Sequence, residues 1–245
     1  MFLRNANGHE VDKSLRGKCA IVTGAASGIG RAAGQALTAW GAEVIGLDLR
    51  AVSAEFDIVA CDVGTEESAG MAVAEAAKRL GGVDILVNSA GIQLDADLAD
   101  LDIAVLDRMY AVNLRGPILV TRACLPYFRD GARIVNLASE LAYLGRAGSS
   151  AYSVTKGAIL SLTRSWAREF APRIRVNAVA PGPTDTPLLH FDTLPPSVQA
   201  LELSNPLGRI GRPEEIARAI LFLAGEGASF MTGQCIGVDG GAAMR

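Results

Sequence analysis

The chain has 245 residues, is 50% hydrophobic and 20% charged, and carries a formal net charge of -3. This is the balance of an ordinary globular chain, long enough for one large domain or two small ones. With an acidic balance and no Lys/Arg-rich run it does not suit nucleic acid, and no apolar run is long enough to cross a bilayer.

In chain order, residues 1–16 are polar and expected to form a loose arm; with Arg4, Glu10, Asp12 and Lys13 and no apolar centre they do not read as a signal peptide. Residues 18–23 are a short apolar run, expected to be a buried strand. The glycine-rich turn 24–30 follows, then a helical pattern from Ile29 to Trp40. Strand, glycine turn and helix make the first half of a dinucleotide-binding unit, in which glycines let backbone amides approach a pyrophosphate at the positive end of the helix. A second strand over 43–48 ends in Asp48, twenty residues past Gly28, the offset expected of a carboxylate that holds a ribose 2′-hydroxyl. Residues 49–56 are too few for a full crossover helix and predict at most one turn.

A third strand is expected over 57–61, then an alanine-rich helix over 66–80, capped by Thr65 and ended by Gly81 and Gly82. Strand four, 84–88, runs into Ser89-Ala-Gly91, where small residues allow a ring or ribose close to the backbone. An acidic loop over 92–100 precedes a long helical stretch, about 102–128, that contains Asn113 and is expected to break at Gly116-Pro117. Strand five covers 133–137 and leads to Ser139. Strand six covers 175–179. Residues 187–209, rich in Leu and Pro without a steady period, suit a mobile flap. Pro213 opens a helix to about Ala224, and residues 234–238 form the last strand. Strands alternating with helices and no linker imply one α/β domain over 17–245, with a parallel sheet covered on both faces.

The four cysteines (Cys19, Cys61, Cys124, Cys235) show no CxxC spacing and read as buried reduced thiols of a cytoplasmic protein. His9 and His190 read as surface residues, and no metal site is expected.

The stretch Tyr152-Ser-Val-Thr-Lys156 opens an amphipathic run with apolar residues at Ile159, Leu162, Trp166 and Phe170. Residues four apart share a helix face, so Tyr152 and Lys156 point into the same space. A phenol titrates near pH 10, and a nearby ammonium is expected to lower it. The pair can then move a proton on and off an alcohol oxygen, and Ser139, if strand and helix are neighbours, can hydrogen-bond that oxygen. Such pairs also arise by chance; the rest of the chain gives this one its meaning.

Taken in order, Thr23-Gly-Ala-Ala-Ser-Gly-Ile-Gly30, Asp62-Val63, Asn88-Ser-Ala-Gly91, Asn113, Ser139, Tyr152 to Lys156 and Pro181-Gly182 resemble the short-chain dehydrogenase/reductase family over about residues 17–242. The resemblance implies a doubly wound, seven-stranded Rossmann sheet and a nicotinamide cofactor. It implies Tyr152 as general acid/base, Lys156 on the nicotinamide ribose, Ser139 on the substrate oxygen and Asn113 holding a water of the proton relay. It implies cofactor contacts from Gly24, Ser27, Gly28, Ile29, Gly30, Asp48, Asp62, Val63, Asn88, Ala90, Gly91, Pro181, Gly182, Thr184 and Thr186, besides Tyr152 and Lys156. It also implies a homotetramer. Ser89 stands where the family usually has a second Asn, and the short 49–56 segment leaves the adenine side less enclosed.

The leading expectation is an oxidoreductase that interconverts a secondary alcohol and a ketone with NAD, which Asp48 favours over the 2′-phosphorylated form, although Arg50 could accommodate a phosphate. Gln93, Glu140 and Arg146, if they line the pocket, suit a sugar, a polyol or a sugar or hydroxy acid. The rivals are a 3-oxoacyl-thioester reductase using NADPH and a non-catalytic nucleotide-binding regulator on the same fold.

Overall fold

The computed structural model describes residues 3–4, 10–11, 14–52 and 55–244. Seven strands form one sheet: β1 (Cys19–Thr23), β2 (Glu43–Asp48), β3 (Asp57–Ala60), β4 (Val83–Asn88), β5 (Phe128–Leu137), β6 (Ile174–Pro181) and β7 (Cys235–Val238). Their spatial order is β3-β2-β1-β4-β5-β6-β7, and every pairing is parallel. This is the doubly wound Rossmann arrangement, whose strand order reverses between β1 and β4 and opens a crevice at their carboxyl ends.

Alternation along the strands builds two cores. Ile21, Ile45, Leu86 and Ile134 face one way, against α2 (Glu66–Leu80), α4 (Gly116–Cys124) and α6 (Ser150–Glu169). Ala20, Val22, Val44 and Ile85 face the other way, against α1 (Gly28–Ala39) and α8 (Pro213–Ala224). Successive side chains of a strand point to opposite faces, so a sheet covered on both sides reads as continuous apolar runs. Leu86 and Ile21 are fully buried, and each such side chain contributes about 1.5–3 kcal/mol.

Several boundaries differ from the sequence expectation. Most of the expected loose arm 1–16, including His9, lies outside the described residues. Within it, Leu3–Arg4 pairs antiparallel with Glu10–Val11, and Leu15 is buried, its N–H donating to the Trp40 carbonyl at 3.1 Å. The packed domain thus starts before residue 17; one apolar residue in a polar run gave no periodic signal.

The expected helix over 102–128 is α3 (Ile103–Tyr110), a π-helical stretch (Ala111–Arg115) and α4. Gly116-Pro117 does not break it. Pro117 has no N–H for the carbonyl of Asn113, and Gly116 donates to Ala111, five residues back. The axis continues through one widened turn. The α-helix ends at Cys124 and a 3-10 turn (Leu125–Tyr127) follows; β5 begins at Phe128 rather than 133, because its exposed residues 129–131 hide the strand pattern. The described residues between β2 and β3 contain no helix, as the short segment predicted. In the flap region, residues 187–209, a short 3-10 turn (Phe191–Thr193) precedes α7 (Pro196–Glu202). A one-turn helix, α5 (Leu141–Leu144), follows Ser139. Cys19, Cys61 and Cys124 are buried and Cys235 is partly exposed, all as free thiols.

Candidate active site

A cavity of about 420 Å³ occupies the crevice at the carboxyl ends of the strands. Its nucleotide end is built by the turn after β1. Gly24 takes a positive φ of 67°, and a Cβ there would meet the Cα of Ala90 at 2.9 Å. The turn is tied to both neighbouring strands: Gly24 N–H donates to the Leu47 carbonyl at 2.8 Å, while Thr23 Oγ1 accepts from the backbone N–H groups of Ser89 and Ala90, each at 3.0 Å. A Cβ on Gly30 would lie 2.2 Å from the Gly24 carbonyl oxygen, so only glycine lets α1 start this close to the turn.

Ser27, the N-cap of α1, makes no side-chain capping bond, and the first turn holds no acid. The first N–H groups of the helix are left to a ligand, the arrangement that receives a phosphate. Asp48, at the end of β2, accepts from Ala26 N–H at 3.0 Å through one oxygen and from Arg50 N–H at 3.1 Å through the other. Its carboxylate is fixed on the cavity wall, and each oxygen keeps a further lone pair. Asp62 accepts from Gly64 N–H at 2.9 Å and lines the cavity beside Val63. Gly28, Ile29, Gly91, Pro181, Gly182, Thr184 and Thr186 also line it. These residues fit a dinucleotide: backbone donors at a helix N-terminus, a carboxylate on the same cavity wall, and, at Gly24 and Gly30, glycines whose Cβ positions are already filled by neighbouring backbone.

Asn88 does not line this cavity. Its amide is buried between β4 and its neighbours, donating to Thr121 Oγ1 at 3.1 Å and to Asn136 Oδ1 at 2.9 Å, and Asn136 donates in turn to Thr163 at 3.0 Å. It braces β4 and β5 against α4 and α6.

The reactive end lies between β5 and α6. Tyr152 and Lys156 occupy the first two turns of α6, and both are buried. The Ser139 hydroxyl lies near enough to the Tyr152 phenol to favour its ionised form and accepts from Leu141 N–H at 3.2 Å. Lys156 Nζ donates to the Leu137 carbonyl at 2.8 Å. Burial pushes Tyr152 up to about 12; Ser139 and Arg146 pull it back, while Asp95 and Glu140 push it further up. The expected lowering by Lys156 is not seen; removing the phenolate from water dominates. Burial also lowers Lys156 to about 8.

Asn113 lies just outside the cavity, in the π turn. Its side chain clasps Ile92, accepting from the N–H and donating to the carbonyl at 2.8 Å each, and donates to Thr155 Oγ1 at 3.3 Å. Thr155 Oγ1 donates to the Tyr152 carbonyl at 2.7 Å. Both hydrogens of the Asn113 amide are thus engaged, and Pro117 has no N–H to offer its main-chain carbonyl.

Gln93, Glu140 and Arg146 all line the cavity near Tyr152. The sequence reading missed their partners. Arg146 pairs with Glu202 of α7 at 2.5 Å and with Asp95 at 3.3 Å, and its Nε donates to Ser149 Oγ at 3.3 Å. Ser149 and Gln93 both donate to Asp95, at 2.7 Å and 3.1 Å. Glu202 lies in a segment without periodicity, and nothing in the sequence separated it from a surface acid. His190, expected at the surface, heads the 3-10 turn of the flap and is exposed.

A Rossmann sheet with a nucleotide groove and a Ser-Tyr-Lys set at its carboxyl edge defines an oxidoreductase. A family model described as enoyl-(acyl carrier protein) reductase matches residues 24–243. A 3-oxoacyl-[acyl-carrier-protein] reductase of Thermotoga maritima is 38% identical, covering 93% of this chain and 98% of its own. The cis-4-hydroxycyclohexanecarboxylate dehydrogenase of Sinomonas cyclohexanicum is 41% identical over 91% and 96%. The solved, ligand-free aldohexose dehydrogenase of Thermoplasma acidophilum superposes with a TM-score of 0.88 at 35% identity, over 95% and 96% of the two chains. The chain belongs to the short-chain dehydrogenase/reductase family, whose members bind a nicotinamide cofactor. No helix among the described residues is long and apolar enough to cross a membrane.

Proposed function

We propose that this protein interconverts a secondary alcohol and a ketone with NAD, on a sugar, a polyol or a sugar or hydroxy acid. The observation that carries the reading is the shared cavity: Ser139, Tyr152 and Lys156 line one end, and the uncapped start of α1 with Asp48 lies at the other. When bound, the nicotinamide supplies or accepts the hydride at the carbinol carbon. In reduction Tyr152 gives its proton to the carbonyl oxygen; in oxidation the phenol must first pass its own proton to the relay water, and its phenolate then takes the hydroxyl proton as the carbon–oxygen double bond forms. Ser139 holds the same oxygen in line. Lys156 binds the nicotinamide ribose, and the Asn113 carbonyl holds a relay water. Ser27, Gly28 and Ile29 receive the pyrophosphate, while Asp48 accepts from the ribose hydroxyls and Asp62 and Val63 flank the adenine.

Charged groups at the substrate end support a polar substrate over a long acyl chain, for which a more uniformly apolar pocket is expected. Asp48 supports NAD, since a 2′-phosphate would bring two anions together. The protein is taken to act in the cytoplasm as a homotetramer; light scattering at micromolar concentration tests the assembly, and a monomer rejects it. A panel of sugars, polyols, hydroxy acids and 3-oxoacyl thioesters with NAD(H) and NADP(H) tests the function. Turnover of polar alcohols with NAD supports the proposal. Activity confined to acyl thioesters with NADPH replaces it with the reductase reading, supported by the Thermotoga maritima relative. Cofactor binding without any turnover points to a regulator.

A further inference from the structure

We infer that Arg146 is not a receptor for a substrate carboxylate but a clamp already neutralised by two protein carboxylates, so that the enzyme selects uncharged polyhydroxylated alcohols and discriminates against acids of the same skeleton. This rests on the polar-alcohol reading above and narrows it. Three segments meet at this guanidinium. Glu202 comes from α7 in the flap, Asp95 from the loop after β4, and Ser149 from the residue before α6, and each nitrogen of Arg146 has one of them as partner. Glu202 keeps only 5% of its side-chain surface and Arg146 21%.

One cation facing two carboxylates leaves this corner with an excess negative charge. Glu140, a third carboxyl, is buried on the same wall. Of the other cations that line the cavity, Lys156 is bonded to the Leu137 carbonyl, Arg50 follows Asp48 at the nucleotide end, and Arg108 of α3 is exposed to water, where its charge is screened. A substrate carboxylate entering here would either displace Glu202 or Asp95 from Arg146 or take the two N–H groups they leave, against the charge of both carboxylates. A partly buried Arg–carboxylate pair is costly to break, because the displaced charge is left unpaired in a poorly hydrated site. Hydroxyl groups meet no such barrier. They donate to carboxylate oxygens and accept from Gln93 without changing the charge balance.

The test uses three probes with one carbon chain: ribitol, ribonamide and ribonate, each with NAD at neutral pH, read both by kcat/KM and by the thermal shift each produces in the protein–NAD complex. Wild type is expected to favour ribitol and ribonamide over ribonate by about tenfold or more, the scale of one added like-charge contact near a protein surface. Glu202→Gln removes one of the two carboxylates and brings this corner from a net negative charge to neutrality, so the ribonate penalty should shrink by about tenfold in both readouts. If Glu202→Gln does not fold, Asp95→Asn removes the other carboxylate and carries the same expectation; if neither folds, the wild-type preference decides alone. Equal or better use of ribonate by wild type, or an unchanged ratio in a folded variant, overturns the inference while leaving the polar-alcohol reading intact. Failure of all three probes to turn over or to shift melting, with a 3-oxoacyl thioester accepted, overturns both and marks the parent reading as the one at fault.

Discussion

The Lys156 ammonium lies 5.7 Å from the centroid of the Tyr152 ring, one helical turn away on α6. At that distance burial decides both titrations. It drives the phenol up, to about 12, and the ammonium down, to about 8. Without cofactor or substrate, Tyr152 rests as a protonated acid, ready to give a proton in the reductive direction. The ultraviolet difference between wild type and Tyr152→Phe, followed through an alkaline titration of the cofactor-free protein, should show no tyrosinate step below pH 10. A step with a midpoint between 7 and 9 would contradict this ordering.

Lys156 makes a second prediction. Its folded pKa, about 8, lies below the ordinary 10.5. Between those values the unfolded chain binds the proton and the folded chain does not, so this group's contribution to stability rises with pH across that window. Relative to Lys156→Met, the cofactor-free wild type should gain on the order of 2–3 kcal/mol from pH 8 to pH 10.5. Denaturant unfolding at several pH values measures the gap. A gap that is flat, or that narrows against wild type as pH rises, rejects the assignment.

Asp48 is fixed on the cavity wall by two backbone N–H donors. Replacing its hydrogen bonds by a phosphate contact costs roughly 2–4 kcal/mol, a preference for NAD of about thirty- to a thousandfold. Asp48→Ser should shift kcat/KM toward NADP and lower stability by about 1 kcal/mol through the lost Ala26 contact. Equal efficiency with the two cofactors in wild type, or an unshifted ratio in the variant, would show that Asp48 does not set the choice.

Gly30→Ala would place a methyl 2.2 Å from the Gly24 carbonyl oxygen. Backbone, not a flexible side chain, must give way, so a loss of about 1–3 kcal/mol is expected. The movement also pulls the α1 N-terminus from the groove, and cofactor affinity should fall at least tenfold. Calorimetric melting and fluorescence titration with NADH measure the two effects.

The parts legible in the sequence were those that act over one or two turns. The glycine turn, Asp48 twenty residues past Gly28 and the i,i+4 spacing of Tyr152 and Lys156 follow from local geometry, and the apolar strands gave the parallel sheet. What escaped depends on distant partners or on backbone detail. The Arg146 clamp joins positions 56 and 51 residues apart. The direction of the Tyr152 shift depends on how deeply the phenol is buried, which spacing does not reveal. Asn88, expected on the cofactor, lies outside the cavity lining with its amide nitrogen on Thr121 and Asn136, since a buried amide reads alike in either role until its partners are known. The π turn before Pro117 replaced an expected break, because a missing N–H can be absorbed by one wider turn.

The central claim is that the Tyr152 phenol transfers the proton while its ring only packs. Tyr152→Phe keeps the ring and removes the hydroxyl, so it isolates that step. On a substrate turned over by wild type, kcat should fall by at least about a hundredfold, the usual scale for a general acid–base group, while NADH affinity by fluorescence titration stays within about threefold. A folded Tyr152→Phe protein that keeps more than about a tenth of wild-type kcat would contradict the account.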